Sequence, residues 1–205
     1  MNDFDDERLD KEVHHRFLFN CRFYDFGERE ISTLHANKDF ILKVTPGIIE
    51  KFMKTTFEIG VTRKLLMPRI VGYYGELQSD YDTLSLESEI VKARGQLCAD
   101  FFISYLTSDW SEEFVKGTFH KKMIHRWGNK EVVIDAVFNN AFYTLIRDAY
   151  IEAVFESTSV KGDKVLLVRA LNKVTGLLND LSHMYMVSDL DDQKESDDAI
   201  IGSVN

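Results

Sequence analysis

Apolar residues recur at three- and four-residue steps along most of the chain, and this spacing is typical of amphipathic α-helices. Only two prolines occur in 205 residues, so few positions force a helix to end. The pattern therefore predicts an all-α protein. The predicted helical segments are residues 11–25, a stretch after Gly27, and residues 46–66, 86–106, 112–127, 131–155 and 164–187.

Residues with strong capping preferences mark the predicted helix boundaries. Thr45 followed by Pro46 indicates a helix start, because threonine accepts hydrogen bonds from free N–H groups and proline fits the first helical position. Gly128 ends the helix before it. The other candidate N-caps are Ser85, Asp109 or Ser111, and Asp163.

Polar and acidic stretches divide the chain. Residues 1–10 are acidic and are predicted to be flexible, residues 11–187 form one domain, and residues 188–205 are predicted to be a disordered acidic tail. Within the domain, residues 68–84 are polar and rich in tyrosine, and they form the longest predicted loop. A surface connection is favoured over a lid for this loop.

Two helices carry more apolar surface than one contact can bury. The segment 131–155 is apolar on nearly all sides, and the segment 164–187 carries a continuous apolar stripe. A helix apolar all round is buried on two sides. We expect one side of 131–155 to face the core or a cofactor and the other to face a second subunit. The sequence therefore predicts a homodimer built on the last two helices.

Charge and composition exclude several partners. The net charge of −9 argues against nucleic acid or an anionic membrane surface. No stretch approaches the roughly 18–20 apolar residues of a membrane span, and the N-terminus lacks the basic start and apolar run of a signal peptide. Cys21 and Cys98 show no motif spacing. These observations predict a cytoplasmic protein with no nucleic-acid partner and no membrane partner.

Motifs of common enzyme classes are absent from the sequence. It contains no Walker A loop, no dinucleotide-binding glycine fingerprint, no His-Glu-x-x-His and no nucleophile elbow. Its six histidines include no pair at the four-residue spacing of a helical zinc site. We therefore predict that the protein is not an enzyme.

One histidine lies in a distinctive pattern. Phe114 is followed eleven residues later by His125, in the last turn of a predicted helix that Gly128 ends. Three further markers keep the same order along the chain. They are Asp25-Phe26-Gly27, the segment after Thr45-Pro46, and the segment from Lys164 to Leu181. With these four markers, residues 16–187 resemble the protoglobins and the globin domains of globin-coupled sensors.

The resemblance implies an all-α, globin-like fold of the protoglobin type with an extra N-terminal helix. It further implies that His125 binds the iron of heme b and that the ligand is a diatomic gas such as oxygen, carbon monoxide or nitric oxide. The other residues that the resemblance implies at the heme are Met53, Phe57, Leu97, Cys98, Phe101, Phe102, Phe119, Ile124, Trp127, Ile134 and Phe138.

The chain departs from the family pattern at two places. Sensor globins of this group usually carry an aromatic residue followed by tyrosine where this chain has Phe52-Met53. A methionine cannot donate a hydrogen bond, so the resemblance implies an apolar distal pocket, on the side of the heme away from His125. Such a pocket favours carbon monoxide or nitric oxide over oxygen. Gly128 also follows the histidine one residue earlier than in most of the group.

Two alternatives remain beside a gas-binding heme protein. One is a heme-free globin fold that binds a lipid-like ligand in its apolar pocket or acts only as an interaction module. The other is a helical dimerisation protein that has no ligand. Retention of His125 favours the heme protein, whereas methionine at position 53 keeps the first alternative open. The absorption spectrum of the purified protein, with and without hemin, distinguishes them.

Overall fold

Packed α-helices make up the fold. The structure is a computed structural model that describes residues 4–68, 70, 73–77, 80–119 and 136–202. These ranges contain no β-strand, so the predicted all-α class is confirmed for them, and none of their helices is both long and apolar enough to cross a membrane. The helices are α1 (Asp6–Lys11), α2 (Val13–Tyr24), α3 (Glu28–Ala36), α4 (Lys38–Glu58), α5 (Gly60–Arg63), α6 (Glu89–Leu106), α7 (Glu112–Phe114), α8 (Ala136–Glu156) and α9 (Lys164–Gly202). Shorter turns are the 3₁₀ turns Lys64–Leu66 and Tyr81–Thr83 and the π-helical turn Val115–Phe119.

The long helices pack side by side, with α8 and α9 in the middle. Helix α9 contacts α2, α3 and α8, while α8 contacts α4, and α4 contacts α6. The core lies at these contacts, and the apolar stripe of α9 is fully buried in it. Helix α8 therefore packs against both α4 and α9 of the same chain. The stripe residues of α9 are Leu167, Leu171, Val174, Leu178 and Leu181.

Helix α4 begins earlier than the sequence predicts. The prediction of a helix start at Thr45 and Pro46 is wrong, because α4 runs from Lys38 and contains Pro46 in its interior. Proline lacks the N–H that donates to the preceding turn. Thr45, the residue before Pro46, anchors this part of α4 in the core. It is fully buried, its hydroxyl donates to the Ile41 carbonyl at 2.7 Å, and it lies 2.6 Å from the hydroxyl of Tyr150 on α8.

The capping predictions have mixed outcomes. The prediction that Ser85 caps α6 is wrong, because Ser88 occupies the N-cap and its Oγ accepts a hydrogen bond from the Ser85 N–H at 2.9 Å. Ser111 is confirmed as the N-cap of α7, since its Oγ accepts from the backbone three residues later. Asp163 is also confirmed, because its carboxylate accepts from the N–H two residues later, in the first turn of α9.

Helix extends into both ends for which the sequence predicts flexibility or disorder. Helix α1 contains no buried residue, and α9 continues to Gly202. Neither glycine nor proline occurs in residues 177–201, so no residue there breaks the helical backbone. The division into a domain over residues 11–187 with flexible ends stays a prediction.

Charged contacts join α2 and α3 to α9. The guanidinium of Arg16 donates two hydrogen bonds to the Asp180 carboxylate, at 2.6 and 2.7 Å. Lys173 Nζ donates to Glu30 at 2.8 Å, and Arg29 donates to the same carboxylate at 2.7 Å. Burial alone would raise the pKa of Glu30, but the hydrogen bonds from Lys173 and Arg29 lower it to about 2. The Glu30 carboxylate is therefore ionised in the folded chain at neutral pH.

Replacing Glu30 with glutamine is expected to lower stability at neutral pH and to weaken its acid dependence. The pKa of Glu30 in the folded chain is about 2, below its ordinary value of 4.5, so the folded state binds fewer protons than the unfolded state. The carboxylate therefore stabilises the fold fully above pH of about 4.5, and this contribution is lost as the pH falls towards 2. We expect Glu30→Gln to lower the free energy of unfolding by about 2 kcal/mol at pH 7, since Lys173 loses a buried partner.

Urea denaturation of both proteins at neutral pH and at pH of about 3 measures the effect. The control is Glu28→Gln, which removes an exposed carboxylate from the same helix. A stability difference between Glu30→Gln and wild type that is the same at both pH values would contradict the role assigned to this carboxylate.

Candidate functional site

An apolar cavity of about 220 Å³ lies between α4, α6 and α8. Helix α5 and the turn after it close one side. The cavity contains few polar groups, and most of its surface comes from aromatic and aliphatic side chains. The described residues that line it are Phe52, Met53, Thr55, Thr56, Ile59, Thr62, Leu65, Leu66, Arg94, Cys98, Phe138, Asn139, Ala141, Phe142 and Leu145.

Gly95 of α6 faces Met53 of α4 at the cavity. A methyl group added at Gly95 would lie 3.6 Å from Met53 Cγ, which is ordinary van der Waals contact, so this position would accept alanine. Arg94, directly before Gly95, and Cys98, three positions after it, also line the cavity.

Arg94 is the charged residue of the cavity wall among the described residues. It is 2% exposed, and its Nη2 donates to the Pro68 carbonyl at 2.6 Å. Its Nε is buried and has no hydrogen-bond partner among the residues that the structure describes. Burial lowers the pKa of Arg94 to about 10, and the Cys98 thiol opposes this effect. Since that value is far above 7, the guanidinium stays protonated at neutral pH.

The hydrogen-bonding groups of two other polar residues in the wall are already engaged. Asn139 Nδ2 donates to Asn179 Oδ1 at 2.8 Å, and this bond joins α8 to α9. The Thr62 hydroxyl lies 2.6 Å from the Thr56 carbonyl oxygen and donates to it. Both interactions hold the surrounding helices in place. Arg94 Nε is thus a buried donor that has no hydrogen-bond partner among the described residues.

The structure brings together three of the residues predicted at the heme. Met53 from α4, Cys98 from α6 and Phe138 from α8 line the cavity. The predicted residues of the same helices that are not among its lining residues are Phe57, Leu97, Phe101 and Phe102. Phe57 is half-buried beneath the guanidinium of Arg63, which lies 4.3 Å from the centre of its ring. The assignment of these residues to a heme site stays a prediction.

Phe101 and Phe102 belong to an aromatic group behind the cavity. The ring of Phe102 is fully buried and lies 5.6 Å from that of Phe142, which in turn lies 4.7 Å from the ring of Phe52. Phe101 packs against Tyr105, with ring centres 4.5 Å apart. These contacts support the cavity wall from outside, so the two phenylalanines act as packing residues of α6.

Arg94 is not among the residues predicted from the sequence. The sequence does indicate that Arg94 shares a helical face with apolar residues. Ile90 lies four residues before it, and Cys98 and Tyr105 lie four and eleven residues after it. A charged residue on an otherwise apolar face is buried only with a structural or functional partner.

Several predicted site residues lie outside the described residues. These are Ile124, His125, Trp127 and Ile134, together with the side chain of Phe119, whose backbone ends the π-helical turn. In the ranges that the structure does describe, no group of three or more histidine, cysteine, aspartate or glutamate side chains is arranged to hold a metal ion.

The segment that leads to His125 is anchored at its start. The Ser111 cap begins α7, and the ring of Phe114 lies 5.3 Å from that of Tyr105 on α6 and 5.8 Å from that of Trp110. Trp110 stacks on Phe17 of α2, with ring centres 5.7 Å apart. This aromatic cluster holds the start of α7 against α2 and α6.

The described residues fit the heme that the resemblance implies. Flat aromatic and aliphatic side chains of α4, α6 and α8 suit contact with a porphyrin, and the low polarity of the cavity keeps water away from it. Arg94 is the charged side chain among the described wall residues and is 2% exposed, so the wall presents almost only apolar surface.

Comparison with known proteins gives one match. A family model described as Protoglobin matches residues 14–192. The matched segment contains all the described residues that line the cavity, as well as His125. No curated protein and no solved structure matches the chain.

Proposed function

Because this chain belongs to the protoglobin family, we propose that it is a heme-binding globin that binds or senses a diatomic gas. The family match confirms the predicted family and the predicted globin-like fold. The observation that carries the proposal is the apolar cavity between α4, α6 and α8, which lies inside the matched segment. In this proposal the heme is of the b type and His125 is the protein ligand of its iron.

Heme supplies an iron centre to which small gases bind reversibly. The residues of this chain would hold the heme and exclude water from it. The imidazole of His125 would bind the iron. Met53, Phe138 and Phe142 would pack against the porphyrin and exclude water. Arg94 would place one positive charge at the edge of the space that a ligand occupies.

Absorption spectroscopy of the purified protein tests the proposal. We expect hemin added to heme-free protein to give a sharp Soret band that saturates at one hemin per chain, and carbon monoxide to shift this band after reduction. Broad, non-saturating spectra, the same as those of hemin with a heme-free control protein, would contradict heme binding. That result would favour a heme-free globin fold with a lipid-like ligand or a role as an interaction module.

The choice of gas does not follow from Met53 alone. Methionine cannot donate a hydrogen bond, and this favours carbon monoxide or nitric oxide over oxygen. Arg94, however, places a protonated guanidinium in the wall of the same cavity. The selectivity therefore depends on Met53 and on whether the guanidinium of Arg94 reaches a bound ligand.

The homodimer and the cytoplasmic location stay predictions. The apolar stripe of α9, which suggested a subunit interface, is covered within the chain by α2, α3 and α8. The large apolar residues that stay exposed on the described parts of α8 and α9 are Val137, Phe155, Val165 and Leu166. Light scattering of the heme-loaded protein distinguishes a dimer from the 23.8 kDa monomer.

A further inference from the structure

We propose that one face of α2 is a docking surface for a short acidic segment of a partner protein, and that the chain's own N-terminal residues occupy it as a tethered competitor. The docking surface consists of His15, Phe19, Arg22 and Phe23. The partner segment would carry several carboxylates and one large apolar side chain. The inference goes beyond the proposed function, because this surface lies outside the cavity and its use does not depend on heme.

The N-terminal segment shows how such a ligand is held. The ring of Phe4 lies 5.4 Å from the ring of His15 and 5.4 Å from that of Phe19. The guanidinium carbon of Arg22 lies 5.8 Å from the centre of the Phe4 ring. The N–H of Asp5 donates to Nε2 of His15 at 3.2 Å, and His15 is buried in this arrangement. An aromatic anchor and a backbone hydrogen bond therefore hold the segment on the docking surface.

The segment and the helix beneath it are complementary in charge. Residues 1–10 contain five acidic side chains and one basic side chain. Helix α2 contains two arginines, two histidines and no acidic residue, although the chain as a whole carries a charge of −9. The guanidinium of Arg16 also lies 3.8 Å from the carboxylate of Asp10. Among segments of either charge, an acidic one is therefore the kind that α2 attracts.

The contact between the N-terminal segment and α2 is small. Helix α1 has six residues, none of which is buried, and a helix of this length is not stable by itself. Two ion pairs lie within the segment, one between Glu7 and Lys11 at 2.7 Å and one between Arg8 and Glu12 at 2.8 Å. These pairs add nothing to its hold on the docking surface. Another segment with the same chemistry can therefore displace it.

The docking surface extends beyond its present occupant. Phe23 stacks on Phe19, with ring centres 5.9 Å apart, and its side chain is 74% exposed. Leu18, on the same face of α2, is also exposed. Large apolar side chains grouped on a surface and surrounded by polar ones mark sites of protein interaction. The end of the surface at Phe23 leaves space for a partner segment that makes more contact than Phe4 alone.

Peptide binding to the full chain tests the proposal. The probe is a fluorescein-labelled peptide with the sequence of residues 2–11, and its binding is followed by fluorescence anisotropy. We expect Phe4→Ala to bind the probe about tenfold more tightly than wild type, because a tethered competitor acts at an effective concentration of about a millimolar. Adding Arg22→Glu to Phe4→Ala should weaken binding by about tenfold. Arg169→Glu, which reverses an exposed charge on α9, is the matched control and should not.

Two altered peptides test the chemistry of the partner. A peptide with alanine in place of its phenylalanine, or with asparagine and glutamine in place of its acidic residues, should bind about tenfold more weakly than the probe. Equal binding of the neutral peptide would overturn the acidic class of partner. Equal binding of the probe to wild type and Phe4→Ala, or no binding to Phe4→Ala up to about a millimolar, would overturn the docking surface. Far-ultraviolet circular dichroism of Phe4→Ala should match wild type, because Phe4 lies outside the core.

Discussion

Alanine in place of His125 is expected to abolish stable heme binding. An imidazole nitrogen is a strong ligand for heme iron, and without it the porphyrin is held by apolar contacts alone. Loss of an outer partner of a metal ligand already lowers affinity by about 10- to 100-fold, so loss of the ligand itself should lower hemin affinity by at least about a hundredfold. Hemin titration followed at the Soret band measures the change.

Two further experiments test whether the loss of hemin affinity in His125→Ala comes from the missing iron ligand. Imidazole added to His125→Ala should restore the spectrum of the histidine-bound form, because it supplies the missing ligand to a pocket that is otherwise intact. His183→Ala, which removes an exposed histidine from α9, should bind hemin as wild type does. If His125→Ala keeps both the wild-type spectrum and the wild-type affinity, another residue binds the iron and the family pattern does not apply to this histidine.

Alanine in place of Phe102 is expected to lower the free energy of unfolding by about 3–5 kcal/mol, because it leaves a cavity in a well-packed core. Phe102 is fully buried, and its ring lies 6.1 Å from that of Tyr143 and 6.4 Å from that of Tyr150 on α8. The sequence resemblance assigns Phe102 to the heme, whereas its contacts are those of a core residue. The loss should therefore be present in heme-free protein, where urea denaturation measures it.

Phe23→Ala is the control for this substitution. The side chain of Phe23 is 74% exposed, so its removal should change the free energy of unfolding by less than about 0.5 kcal/mol. A similar small change in Phe102→Ala would show that Phe102 is not packed as described. Stability lost only in the heme-loaded form would instead make Phe102 a heme contact, as the resemblance implies.

Local signals in the sequence were reliable where one short-range interaction decides the structure. Ser111 and Asp163 cap helices as predicted, because a capping bond joins residues only two or three positions apart. Thr45 and Pro46 carry an equally strong local signal, yet α4 continues through them. The hydroxyl of Thr45 bonds to Tyr150, which is 105 residues away. That contact forms only when α8 packs on α4, and no local pattern contains it.

In the candidate site, too, the sequence predicted some residues, whereas others became evident only from the packing of the helices. The Phe114 to His125 spacing and three other markers identified the family from the sequence, because such spacings survive as linear patterns. Met53, Cys98 and Phe138 were predicted at the heme and do line one cavity. The position of Arg94 was not predicted. Its spacing within α6 shows that it lies on an apolar face, but not that α4 packs against α6 and that Arg94 is buried in the cavity wall.

The sequence by itself therefore determined the helical class, the family and the identity of the histidine proposed to bind iron. Helical periodicity and motif spacing depend on residues close together in the chain, and a sequence records these directly. Only the tertiary structure decided that Phe102 packs in the core, that the apolar stripe of α9 is covered within the chain, and that Arg94 lies buried in the cavity wall. Burial and charge pairing depend on which helices meet, and that is a property of the packed chain as a whole.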